Sequence, residues 1–113
     1  MFTRPAALAA ASLLLTALPA LAEGLSGRNA VAGMNPDGSR YEGTVEMVEN
    51  ANTISMTWQV AGSNYAGAGT VEGKLITVRW GDPTPVYYVI TPSGELHGTW
   101  AGGTALEKLT PLP

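Results

Sequence analysis

Ile54, Met56, Trp58 and Val60 alternate without a break with Thr53, Ser55, Thr57 and Gln59. A period of two puts every apolar member of this stretch on one side of an extended chain and every polar member on the other, the pattern of a strand with one buried face. The same alternation recurs along the chain. Tyr41, Gly43, Val45 and Met47 oppose Glu42, Thr44 and Glu46. Tyr65, Gly67, Gly69 and Val71 follow, then Ile76, Val78 and Trp80, then Leu96, Gly98 and Trp100. Val86, Tyr88 and Ile90 form a further set whose facing Tyr87 and Val89 leave open. A first strand is expected over Asn29 to Gly33 and a last short one around Leu106. No segment past Glu23 sustains a helical period.

Turn chemistry separates these runs at the spacing of an all-β domain. Asn35-Pro36-Asp37-Gly38 places Pro where φ near −65° suits a turn and Gly where φ can turn positive. Gly73-Lys74 fits a two-residue hairpin with Gly at its first central position. Asn50-Ala51-Asn52, Gly62-Ser63-Asn64, Gly81-Asp82-Pro83, Pro92-Ser93-Gly94 and Gly102-Gly103 mark the remaining turns. These connections are too short for parallel crossovers, so the sheet is expected to be an antiparallel meander of about eight short strands.

A weak repeat adds closure. Gly43-Thr44-Val45-Glu46 leads to Trp58, Gly69-Thr70-Val71-Glu72 leads to Trp80, and Gly98-Thr99-Trp100 echoes both, one hairpin apart. An up-and-down sheet that curls on itself produces such a repeat, and closing it removes two exposed edges. The expected fold is therefore all-β, a small barrel with the architecture of lipocalins and avidin.

The first residues carry a different signal. Arg4 is followed by a run of small and apolar residues from Ala6 to Leu18, then by Pro19 and Ala20-Leu21-Ala22. This reads as a secretory signal peptide over residues 1–22, cut between Ala22 and Glu23. The run falls short of the roughly 20 apolar residues that span a bilayer, so no membrane anchor is expected after cleavage. The chain has no cysteine, which also excludes a lipoprotein anchor. Residues 23–113 are expected to form one domain in a bacterial periplasm or the surrounding medium.

Composition narrows the chemistry. Six basic side chains against nine acidic ones give a net charge of −3, which argues against a nucleic-acid partner. Without cysteine, neither a disulfide scaffold nor thiolate chemistry is available. His97 is the only histidine, lies out of phase with Leu96, Gly98 and Trp100, and is expected to face solvent. It cannot by itself build a zinc site or a catalytic triad. Glu42, Glu46 and Glu72 fall on the outer strand face, and nothing places two acids across a cleft as a glycosidase requires. Asp37 fits a turn better than a calcium loop. No enzyme, metal or cofactor is expected.

What remains is the inward set. Trp58, Trp80, Trp100, Tyr41, Tyr65 and Tyr88 share the barrel interior with Gly43, Gly67, Gly69 and Gly98. A barrel of this size has room for side chains or for one small ligand. Glycines that make space for packed rings are the simpler account, and an aromatic-lined cavity for a small apolar or sugar-like ligand is the alternative.

The pattern from Asn35-Pro36-Asp37-Gly38-Ser39 through Tyr41, Gly43-Thr44-Val45, Trp58, Gly67, Gly69, Leu75, Val78, Trp80-Gly81, Pro85-Val86, Tyr88, Gly94, Leu96, Gly98, Trp100, Glu107, Leu109 and Pro111 resembles a family. It is similar to small exported proteins of alphaproteobacteria, some of which are labelled fibronectin-binding. Thr104-Ala105 stands where that pattern has another glycine. The resemblance implies an exported protein-binding module with an extracellular or envelope protein as partner, and supplies no catalytic or ligand residues. Candidate surfaces are the Thr53, Ser55, Thr57 and Gln59 row and the loop from Gly81 to Pro85. A carrier of a small apolar ligand among the tryptophans and an exported protease inhibitor are the alternatives.

Overall fold

The computed structural model describes residues 24–113, so the expected signal peptide and its cleavage point lie outside the described residues. Eight strands run in chain order: β1 Gly27–Met34, β2 Arg40–Asn50, β3 Thr53–Val60, β4 Ser63–Glu72, β5 Leu75–Arg79, β6 Val86–Ile90, β7 Leu96–Trp100 and β8 Ala105–Pro111. Each pairs antiparallel with its sequence neighbour, and β1 pairs with β8 through partners such as Val31 and Leu109. The meander is a closed barrel. A short 3-10 turn, Ala101–Gly103, joins β7 to β8.

The period-two pattern decides which side chains enter. Ile54, Met56, Trp58 and Val60 are all buried, whereas Thr53, Ser55, Thr57 and Gln59 are exposed. On β6, Val86 and Tyr88 point inward while Tyr87 and Val89 face solvent, which resolves the facing that the sequence leaves open. His97 lies outside, 3.1 Å from Glu95. Val31, Val45, Met47, Ile54, Met56, Ile76, Val78, Leu96 and Leu109 fill the interior, and Leu25 and Ile90 pack against them.

The two ends differ. Leu25 lies near the β2–β3 end, where its N–H donates to Glu49 Oε1 at 3.2 Å and Glu49 N–H donates to Ser26 Oγ at 2.9 Å. The opposite end is bounded by the β1–β2, β3–β4, β5–β6 and β7–β8 connections, and there the aromatic side chains gather.

One detail departs from the sequence reading, and another is a facing that it leaves unassigned. The β3–β4 turn is Ala61-Gly62, one residue earlier than expected, with φ of 51° and 78°. On β8, Leu106 faces outward at 52% exposure, while Ala105, Glu107 and Leu109 point into the barrel. A leucine is a natural marker for the inner face, but the small Ala105 and the carboxylate of Glu107 occupy it here.

Glycines make room for rings as their spacing suggests. A Cβ on Gly98 would overlap the ring edge of its cross-strand partner Tyr88 at Cδ1 and lie 2.5 Å from the Tyr87 carbonyl oxygen. One on Gly33 would clash with the phenol end of its partner Tyr41 at Cζ. Such glycine–aromatic pairs let a small, strongly coiled sheet carry large side chains.

An aromatic cup above a buried carboxylate

Glu107 is only 8% exposed, and three donors from three strands converge on it. Tyr41 on β2 donates its hydroxyl to Oε1 at 2.7 Å. Trp58 on β3 donates its indole N–H to Oε2 at 3.0 Å. Tyr88 on β6 donates its hydroxyl to Oε2 at 2.5 Å. Tyr41 in turn accepts the indole N–H of Trp100 at 2.9 Å. The network ties β2, β3, β6, β7 and β8 together through the middle of the barrel.

The electrostatics reinforce it. Burial, followed by the charge of Glu107, pushes the Tyr88 hydroxyl well above its ordinary value, and the same two causes push Tyr41 upward. Both hydroxyls therefore stay protonated and available as donors. Bonds of this kind, to an ionised acceptor, are roughly twice as strong as neutral ones.

Above this floor the rings form an arc of edge-to-face contacts. Tyr65 meets Trp80 with centroids 5.9 Å apart, Trp80 meets Trp100 at 5.8 Å, and Trp100 meets Tyr41 at 6.3 Å. Together with Trp58, Val60, Val86 and Glu107 they line a cavity of about 130 Å³. For scale, an engineered cavity of roughly 150 Å³ admits benzene. Ala61 and Asn35, from two of the turns, stand at its edge.

The six aromatic residues singled out by sequence thus divide by depth. Tyr88 is fully buried beneath the cavity, bonded to Glu107, and Trp58 is 4% exposed with its ring on the cavity wall. Tyr41, Trp80 and Trp100 are half-buried, and Tyr65 is 43% exposed at the rim. Packed core and lined cavity are both present, stacked along the barrel axis.

Glu107 is the residue that sequence reasoning missed. Its signal was faint but present: Ala105, Glu107 and Leu109 share one parity on β8. Trp80 adds a second unmarked feature. Its indole N–H is shielded from solvent and is the one buried side-chain polar atom among the described residues without a hydrogen-bond partner. The described residues contain no cluster of three or more metal-ligating side chains, and no helix among them is long and apolar enough to cross a membrane.

No protein-family model matches the chain, and no curated protein matches it. Solved structures do. A redesigned β-barrel aligns with TM-score 0.58 at 17% identity, covering 80% of this chain and 93% of that one. The redesigned barrel mFAP0, bound to DFHBI, aligns with TM-score 0.54 at 17% identity, over 78% of this chain and 99% of that one. A de novo fluorescence-activating β-barrel gives TM-score 0.50 at 16% identity, over 77% and 93%. At this identity the likeness is one of fold: the chain is a small closed antiparallel barrel.

Proposed function

We propose that this protein is a non-enzymatic, exported binder of a small ligand, held in the aromatic cup at the open end of the barrel. The observation that carries this is the cavity itself. Its walls are the side chains of Tyr41, Trp58, Tyr65, Trp80 and Trp100, and its floor is a carboxylate locked by three donors. An apolar cleft with a few fixed polar groups is the usual form of a small-molecule site. That one similar barrel is bound to DFHBI and another is fluorescence-activating supports the reading. Screening small aromatic and apolar compounds by tryptophan fluorescence tests it. A saturable shift that Trp100→Leu abolishes is expected, and a library-wide absence of saturable shifts would remove the proposal.

A second reading is attachment to an extracellular or envelope protein, fibronectin among the candidates, through the outer wall. Leu75 and Val89 are register partners at 40% and 52% exposure, and Tyr87 beside them is 43% exposed. Such an outward apolar strip on adjacent strands is a feature of interaction surfaces. Pull-down against fibronectin and envelope extracts should retain a partner that Val89→Lys loses. Equal retention by both forms would count against this surface.

A further inference from the structure

Glu107 carries its charge into the barrel without a cationic partner. All three groups that bond it are neutral donors: two tyrosine hydroxyls and one indole N–H. Among the described residues the only basic side chain within salt-bridge reach of a carboxylate is His97, beside Glu95 on the outer face. A carboxylate has room for about four hydrogen bonds, two on each oxygen. Oε2 holds two, from Trp58 and Tyr88, while Oε1 holds only that from Tyr41, so one position on Oε1 remains open.

The walls above the floor point to the same chemistry. Tyr65, Trp80, Trp100 and Tyr41 follow one another edge to face, and all four line the cavity together with Glu107. The negative face of an aromatic ring attracts a cation, most strongly for tryptophan, and several such rings around one point form the cage that recognises quaternary ammonium groups. A neutral apolar ligand would use the rings but leave the carboxylate without a counter-charge. An anion would be repelled by it.

Building on the cup as a binding site, we propose that its ligand is a small organic cation, with an ammonium or trimethylammonium group seated in the cavity lined by Tyr65, Trp80 and Trp100 and directed toward Glu107. The rings supply the shape and the carboxylate the sign of charge. Such a group reaches the cup either as a free small molecule or as the headgroup of a lipid, and the two sources share this chemistry.

The test uses the intact protein and three matched probes followed by tryptophan fluorescence: choline, its carbon isostere in which a tert-butyl group replaces the trimethylammonium, and isovalerate as an anion of similar bulk. Choline should bind roughly tenfold or more tighter than the isostere, and isovalerate should be weakest. Glu107→Gln, checked for folding by circular dichroism, should bring the choline-to-isostere ratio close to one. Should that variant fail to fold, Trp80→Leu is the second variant and should reduce choline affinity more than isostere affinity. Phosphatidylcholine vesicles form the other arm: co-sedimentation that free choline competes away assigns the headgroup, and saturable choline binding without co-sedimentation assigns a free ligand. Equal or tighter binding of the isostere overturns the cation while leaving the cup a binding site. Failure of all three probes, when the wider aromatic library does bind, overturns it as well. Failure of every compound removes the cup as a site.

Discussion

Glu107→Leu removes the acceptor on which the interior network converges, and its cost can be worked from burial. Tyr88 and Trp58 are 0% and 4% exposed, so the hydroxyl of one and the indole N–H of the other have no water to turn to. Tyr41, half-buried on the cavity wall, can rotate its hydroxyl toward the opening. Two buried donors left unpaired cost about 2–6 kcal/mol together. Relief from burying a carboxylate offsets part of this, leaving a net loss of about 2–4 kcal/mol. In urea, with a slope near 1–2 kcal/mol/M for a domain of this size, the unfolding midpoint should fall by on the order of 2 M. The sharper reading comes from a double-mutant cycle. Tyr88→Phe alone removes a bond to a charged group and should cost about 1.5–3 kcal/mol. In the Glu107→Leu background the same change deletes an orphaned hydroxyl and should be neutral or stabilising. Coupling of at least about 1.5 kcal/mol is therefore expected, and additivity within about 0.5 kcal/mol would refute the network as the device that holds the barrel centre.

Other outcomes follow from the same geometry. Because the folded state holds the Tyr88 proton above its ordinary titration near 10, the native chain binds more protons than the unfolded one in alkali. The stabilisation is then complete below about pH 10 and lost above it at about 1.4 kcal/mol per pH unit, Tyr41 acting in the same direction. Urea midpoints measured at about pH 9, 10 and 11 should show this slope, and Tyr88→Phe should flatten it; an unchanged slope would contradict the assignment. Gly98→Ala places a methyl group on the edge of the Tyr88 ring and against the Tyr87 carbonyl, and should cost about 3 kcal/mol or more, with a near-wild-type melting temperature as the contrary result. Ala51 holds φ of 57° in the β2–β3 turn, a left-handed conformation that asparagine tolerates better. Ala51→Asn should raise the melting temperature by roughly 2–4 °C, and a fall would show that the turn is not strained.

Most of the wall is legible in the sequence. Ile54 to Val60 and Tyr41 to Met47 announce their inner face because each apolar side chain is flanked by polar ones, and Gly73-Lys74 fixes a hairpin whose Gly73 has φ of 62°. The β3–β4 turn was displaced because Ala61 adopts φ of 51°, which no side-chain chemistry at that position advertises. Glu107 was hidden by a general truth: carboxylates are rarely buried unless bonded, and its partners lie 19, 49 and 66 residues away in sequence. The facing of β8 was not legible either, since nothing local tells an exposed Leu106 from a buried one. The depth of each ring was equally invisible. Tyr88 and Tyr65 both sit in alternating strands, but one lies below Glu107 and the other at the rim, a distinction set by position along the barrel axis.

The claim that the open end is a ligand site is tested most directly by following the indole N–H resonances of Trp58, Trp80 and Trp100 in a ¹⁵N-labelled sample while choline is added. Saturable movement of Trp80 and Trp100, with residues of the β2–β3 end such as Leu25 and Ile54 unmoved, is the predicted result. Indole resonances that stay in place through the titration, or shifts spread evenly over both ends of the barrel, would contradict it.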